Sequence, residues 1–232
     1  MTLKELMSRL ALGELSNLTW VDNGVIRSEK KVDTTKLINE VLNKLYARFY
    51  LNVDSILLEP VDGKTEYELT KEHLMDKDLE PTYDKYLFKP GEKPFNNDIL
   101  RILKVVTSSG IVLPVNNPLE KYSVYTPTYN KLQCPKLKPG WELEITYASK
   151  HPELVYSEDE DPEIELPDSL IPAVCAYVAY QVHNNMNTEN AVSNAQKYLN
   201  LYNSILAENI ETSMIYMPEN NNNSKFIFRG WI

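Results

Sequence analysis

The chain has 232 residues, enough for one large domain or two small ones with a core that folds without covalent staples. At 43% hydrophobic and 25% charged its composition is that of a globular protein; no run of about 18 apolar residues marks a transmembrane helix, and MTLKELMSRL lacks the apolar stretch of a secretory signal, so synthesis in the cytosol is expected. A formal charge of −9 argues against a nucleic-acid grip built on Lys and Arg, though it does not exclude DNA passing nearby.

In chain order, Thr2 and Glu5 have the spacing of a capping box, and Leu3, Leu6, Met7 and Leu10 repeat at helical period up to Gly13. Residues 16–31 hold Asn23-Gly24 and read as a loop. A second helix is expected from Asp33 or Thr34, with Leu37, Ile38, Val41, Leu42, Leu45 and Phe49 on one stripe. From Asp54 the period changes. Residues 55–61 and 65–69 flank Asp62-Gly63 and read as a β-hairpin; residues 71–97 are polar and rich in Pro and Lys, a long excursion. Residues 99–107 and 111–115 flank Ser108-Ser109-Gly110, a second hairpin. Residues 122–125 and 141–148 supply two more strands, separated by a loop holding Pro127, Pro135 and Pro139.

Residues 157–165 are acidic. Carboxylates suit calcium, but the EF-hand pattern and its glycine are absent, so a solvated linker is the reading. Two helices follow as an antiparallel hairpin. One carries Leu170, Ile171, Val174, Cys175, Val178 and Val182; the other carries Ala191, Val192, Ala195, Tyr198, Leu199, Tyr202, Ile205 and Leu206, with Asn184 to Asn187 between them. Pro172 moves the regular start of the first to Asp168 or Ser169, or kinks it. After Glu219 come four Asn and Ser224, then the aromatic segment KFIFRGWI. The expected class is α+β: a helical domain of residues 1–53 and 157–210, a β-rich module of residues 54–156 with a polar insertion at 71–97, and an extended tail of residues 211–232.

Chemistry is sparse in the sequence. His73, His151 and His183 are far apart and lack metal-ligand spacing; no G-x-S-x-G elbow, Walker loop, dinucleotide fingerprint or zinc motif is present. Seven Gly leave few backbone cradles for phosphate. Cys134 and Cys175 lack CxxC spacing and read as reduced, buried thiols. The expectation is a protein that is not an enzyme and needs no cofactor or metal. Fifteen Tyr against five Phe point instead to subunit contacts, with Tyr177, Tyr180, Tyr198 and Tyr202 on the hairpin as candidate interface residues. Phe226, Phe228, Arg229, Trp231 and Ile232 are the candidates for docking on a neighbouring subunit or another partner; a last strand folded onto its own domain is the alternative.

Residues 98–206 resemble the head-to-tail adaptor, or tail tubular, family of short-tailed phages. The segments that carry the resemblance are DILRILKVVTSSGIVLPVN, YTPTYNKLQ, GWELEITYASKHPEL, IELPDSLIPAVCAYVAYQVHNNMN and AQKYLNLYNSIL, with the helix of Leu37 to Phe49 upstream. The insertion at 71–97 and the FIFRGWI tail depart from that pattern; the insertion, the Asn-rich style and the low Gly content look like crAss-like phages. The resemblance implies a virion protein assembled in the host cytoplasm: a homo-oligomeric ring, usually of twelve copies, that binds the portal protein, carries the next tail component and encloses double-stranded DNA without gripping it, away from any membrane. Another virion ring, such as a tail-hub or stopper subunit, would share this composition. A carbohydrate-binding module would instead need exposed aromatics such as Tyr125, Tyr129 and Trp141.

Overall fold

The computed structural model describes residues 1–76, 79–91, 93–137, 140–186 and 188–211. Helix α1 (Leu3–Leu12) starts on the expected capping box: the Thr2 hydroxyl accepts from the Glu5 N–H, and a Glu5 carboxylate oxygen accepts from the Thr2 N–H at 2.8 Å. Leu3, Leu6, Met7 and Leu10 are buried. The Gly13 N–H closes the helix on the Arg9 carbonyl.

The loop expected over 16–31 is more ordered than its composition suggests. Asn23 and Gly24 both have positive φ (50° and 75°), and they turn β1 (Val21–Asp22) into β2 (Val25–Ile26) as a two-stranded ribbon. Helix α2 (Ser28–Phe49) then begins earlier than Asp33. Asp33 and Thr34 are interior residues rather than caps. The buried Thr34 and Thr35 hydroxyls donate back to the Lys30 and Lys31 carbonyls, and Asp33 lies within 4.0 Å of both Lys30 and Lys36. The expected stripe is buried except at half-buried Leu37, and Tyr46 joins it.

The main sheet is antiparallel, in the order β5 (Leu87–Phe88), β3 (Val53–Leu58), β9 (Leu143–Ser149), β6 (Ile99–Thr107), β7 (Val112–Leu113). The hairpin of β6 and β7 forms as expected, and the strand expected over 141–148 is β9. The hairpin expected over 55–69 does not form. Both edges of β3 are bonded to β9 and β5, while β4 (Glu66–Glu68) pairs with β8 (Lys131–Gln133) in a separate two-stranded sheet. Its turn survives because the Tyr67 hydroxyl accepts from the Val61 N–H at 3.1 Å and donates to the Lys64 carbonyl at 2.8 Å. Residues 122–125 make isolated bridges, Val124 to Val115 and Tyr125 to Gln133, not a strand.

Two polar segments are also better anchored than expected. Within 71–97, Met75, Tyr86, Leu87 and Phe95 are buried. The Tyr86 hydroxyl is held by both the N–H and the carbonyl of Glu68. The acidic segment is packed against the start of α1: Thr2 bridges to Glu163, the Leu3 N–H donates to the Pro162 carbonyl, and the Ile164 N–H donates to the Met1 carbonyl. The Lys4 N–H donates to Asp161 Oδ1 at 2.9 Å, placing a carboxylate at the positive end of α1.

The described residues fall into two compact units, one up to Leu166 and one from Pro167. Helices α1 and α2 therefore share a unit with the sheet, a division different from a helical domain of 1–53 with 157–210. In the second unit, residues 168–170 form a 3₁₀ turn and α3 (Ile171–Asn184) follows, so Pro172 sits in the first turn, where no hydrogen bond is lost. Thr188 caps α4 (Glu189–Glu211), its hydroxyl accepting from the Ala191 N–H. No helix among the described residues is long and apolar enough to cross a membrane.

One ion pair ties the segment after β5 to β3: the Lys89 side chain is 8% exposed, and its ammonium meets Asp54 and also donates to the Ser55 carbonyl at 2.8 Å. Lys89→Ala leaves the Asp54 carboxylate partly buried without its cation and is expected to lower unfolding free energy by about 3 kcal/mol in urea titrations. The double variant Lys89→Met/Asp54→Asn recovers much of that loss, because no unpaired charge remains.

Candidate functional site

The interface candidates form an aromatic seam inside the second unit. Helices α3 and α4 pack as an antiparallel pair, and the Tyr177 ring on α3 lies 5.2 Å from the Tyr202 ring on α4 and 5.8 Å from Tyr180. One turn on, the His183 ring stacks on Tyr198 at 5.5 Å and 19°. Tyr177 and Tyr202 are buried; Tyr180 and Tyr198 are half-buried. The Tyr177 hydroxyl accepts from Gln181 Nε2 at 2.7 Å. At the far end of α4, buried Asn209 donates to the Ser169 and Ile205 carbonyls. The seam therefore holds the hairpin together, and only Tyr180 and Tyr198 retain ring surface to offer a neighbour.

The outer face of α4 shows what the hairpin can offer. Val192, Gln196, Asn200, Asn203 and Ala207 recur at helical spacing, are all exposed and carry no charge. Val192 is 56% exposed, and Gln196 donates to Asn200 along this stripe at 2.9 Å. The uncharged run from Val192 to Ala207 covers about 22 Å of the helix, and exposed Glu189 and Glu211 follow at the same spacing beyond its two ends. Such a face buries no charge and suits packing against another helix that supplies hydrogen bonds to its side-chain amides. The tail candidates Phe226, Phe228, Arg229, Trp231 and Ile232 lie outside the described residues.

The histidines are placed singly. His73 is half-buried, stacks on Tyr86 at 4.7 Å and has Nδ1 2.8 Å from the Asp84 carbonyl. His151 is buried edge-on against Tyr46, whose hydroxyl donates to the Glu165 carbonyl. His151 Nδ1 lies 2.6 Å from the Pro152 carbonyl and Nε2 accepts from the Glu165 N–H at 3.3 Å, an arrangement that requires the neutral ring. Burial lowers the His151 pKa, and burial likewise lowers that of His183. Among the described residues no group of three His, Cys, Asp or Glu is placed to hold a metal ion. Cys134 and Cys175 are both buried and neither forms a disulfide; burial pushes the Cys134 thiol up to about 12. Of the aromatic trio a glycan would need, Tyr129 is exposed, whereas Tyr125 is half-buried and Trp141 packs against the sheet core.

A surface that the sequence does not reveal lies in the first unit. Lys4 and Met7 of α1, Val25 and Ile26 of β2, Lys31 of α2 and Tyr156 line a cleft of about 300 Å³. Lys31 Nζ donates to the Tyr156 hydroxyl at 2.9 Å and lies 5.1 Å from its ring centre. These residues come from four segments, and no local pattern connects them. No protein-family model matches the chain, and no curated protein matches it in sequence.

The His151 geometry makes stability depend on pH with a definite sign. The folded pKa lies below the unfolded value of about 6.5, so the unfolded chain binds the extra proton first. The contribution is complete above about pH 6.5 and is lost as pH falls toward the folded pKa. Urea unfolding between pH 7.5 and 5 is expected to show this decline, and His151→Gln to flatten it.

Proposed function

We propose that this chain is a structural ring subunit of a tailed-phage virion, a head-to-tail adaptor. In this role it assembles as a closed ring, usually of twelve copies, binds the portal, carries the next tail component and performs no catalysis. Helices α1 and α2 and the hairpin of α3 and α4 are the ring's helical elements in this reading.

The observation that carries the reading is the uncharged stripe from Val192 to Ala207 on α4. Side-by-side packing of identical subunits brings one face of each against a different face of the next, a heterologous contact that closes when the rotation divides a circle. Such a contact needs a face with little charge to bury, and Val192 to Ala207 offer one about four turns long, bounded by Glu189 and Glu211. The resemblance of residues 98–206 adds the order of parts: a sheet strand ending at Ser149, an acidic segment, then Leu166-Pro167 and the hairpin. The net charge of −9 suits a lumen past which DNA slides without being held.

Negative-stain imaging and native mass spectrometry of the full chain, alone and with portal protein, test the proposal. The expected result is a particle with cyclic symmetry. Asn200→Glu, at an exposed position, is expected to leave the circular-dichroism spectrum unchanged and to break the ring into monomers. A chain that stays monomeric with portal present, or a ring indifferent to charge on the stripe, would overturn it.

A further inference from the structure

The cleft lined by Met7, Val25, Ile26 and Tyr156 is apolar on its walls, yet two ammonium groups, Lys4 and Lys31, also line it. An acidic strip begins directly beside it. Lys4 Nζ donates to the Glu158 carbonyl at 2.8 Å and the Lys4 N–H to Asp161 Oδ1, and Glu158, Asp159, Glu160 and Asp161 are all exposed. Residues 225–232, Lys-Phe-Ile-Phe-Arg-Gly-Trp-Ile, have the complementary composition: two cations interleaved with three aromatic rings. The geometry points to this cleft and its acidic border as the receptor for residues 225–232 of a second copy of the chain.

Charge sets the register. Lys4 and Lys31 repel Lys225 and Arg229 from the cleft, so an aromatic ring enters it while the cations lie along residues 158–161. Inside, a Phe or Trp ring meets apolar walls beside the Tyr156 ring. The Arg229 guanidinium can fork onto the exposed carboxylates, a geometry Lys cannot copy. Residues 212–224 separate the end of α4 from the docking segment, and 13 extended residues reach about 43 Å, enough to span to an adjacent subunit. Cleft and segment are different surfaces, so the contact is head-to-tail and compatible with a ring. This inference rests on the ring reading and names the contact that links one subunit to the next.

Disulfide trapping with full-length chains tests it. Val25→Cys is made in one tagged chain, at a position 58% exposed, and Gly230→Cys in another chain of different mass. The native thiols are buried, which keeps background exchange low. Mixing the two variants is expected to produce a cross-link between chains of different mass, with Arg229→Glu reducing its yield by at least about tenfold. Trp231→Ala is expected to weaken self-association by about 30-fold, the loss of one aromatic anchor. A third chain carrying both cysteines, if it cross-links internally while the mixed pair does not cross-link, would place the segment on its own cleft and overturn the proposal. Rings without any cross-link would overturn it while leaving the ring reading intact. A chain that is monomeric by native mass would remove both.

Discussion

Strand β9 has two edges, and each bonds to a segment distant in sequence: β3 along one side over Val53 to Leu58, and β6 along the other over Ile99 to Thr107. Much of the first unit follows from that occupancy. Once β3 is bonded to β9 and β5, it has no edge left for β4, so the chain leaving the Asp62-Gly63 turn must find another partner and finds β8. The alternation along β9 then decides the core, since Leu143, Ile145 and Tyr147 point into the cluster that Tyr67, Tyr86, Leu87 and Phe95 complete. Residues 71–97 are retained as part of the sheet's covering because that cluster needs those side chains.

Polar groups do the tethering between segments. Tyr46 reaches from α2 to the Glu165 carbonyl, and His151 receives the Glu165 N–H from the other side, so the end of the acidic segment is clasped by two aromatic rings. Asn39 makes a second clasp, accepting from the Leu154 N–H and donating to the Leu154 carbonyl. Such bonds satisfy backbone groups of a segment with little regular structure. They also hold Tyr156 beside Lys31, so the cleft exists because a non-repetitive segment is pinned at both ends.

The second unit is simpler in its physics. Its seam packs the rings of Tyr177, Tyr202, His183 and Tyr198 between the helices, and its outer stripe is uncharged from Val192 to Ala207. In the proposed ring the two features divide the labour: the seam makes the hairpin a rigid element, and the stripe presents it to a neighbour. Tyrosine abundance alone did not separate these roles, because a ring between two helices of one chain and a ring between two chains need the same side chain.

By itself the sequence determined what is local. The Thr2–Glu5 box, the stripe of α2, the hairpin of β6 and β7, strand β9 and the pair of helices after Leu166 are all legible, because capping, helical period and tight turns depend on residues a few positions apart. What required the tertiary structure is partner choice. Nothing near Glu66 indicates that it pairs with Gln133 rather than with β3, and nothing in the polar stretch 71–97 shows that Tyr86 and Phe95 are core. Length and charge misled for the same reason at residues 157–165, where solvated composition conceals backbone bonds to Met1 and Leu3. An edge hydrogen bond is between backbone groups that every residue carries, so sequence does not label it; only the competition among edges in the folded chain assigns it.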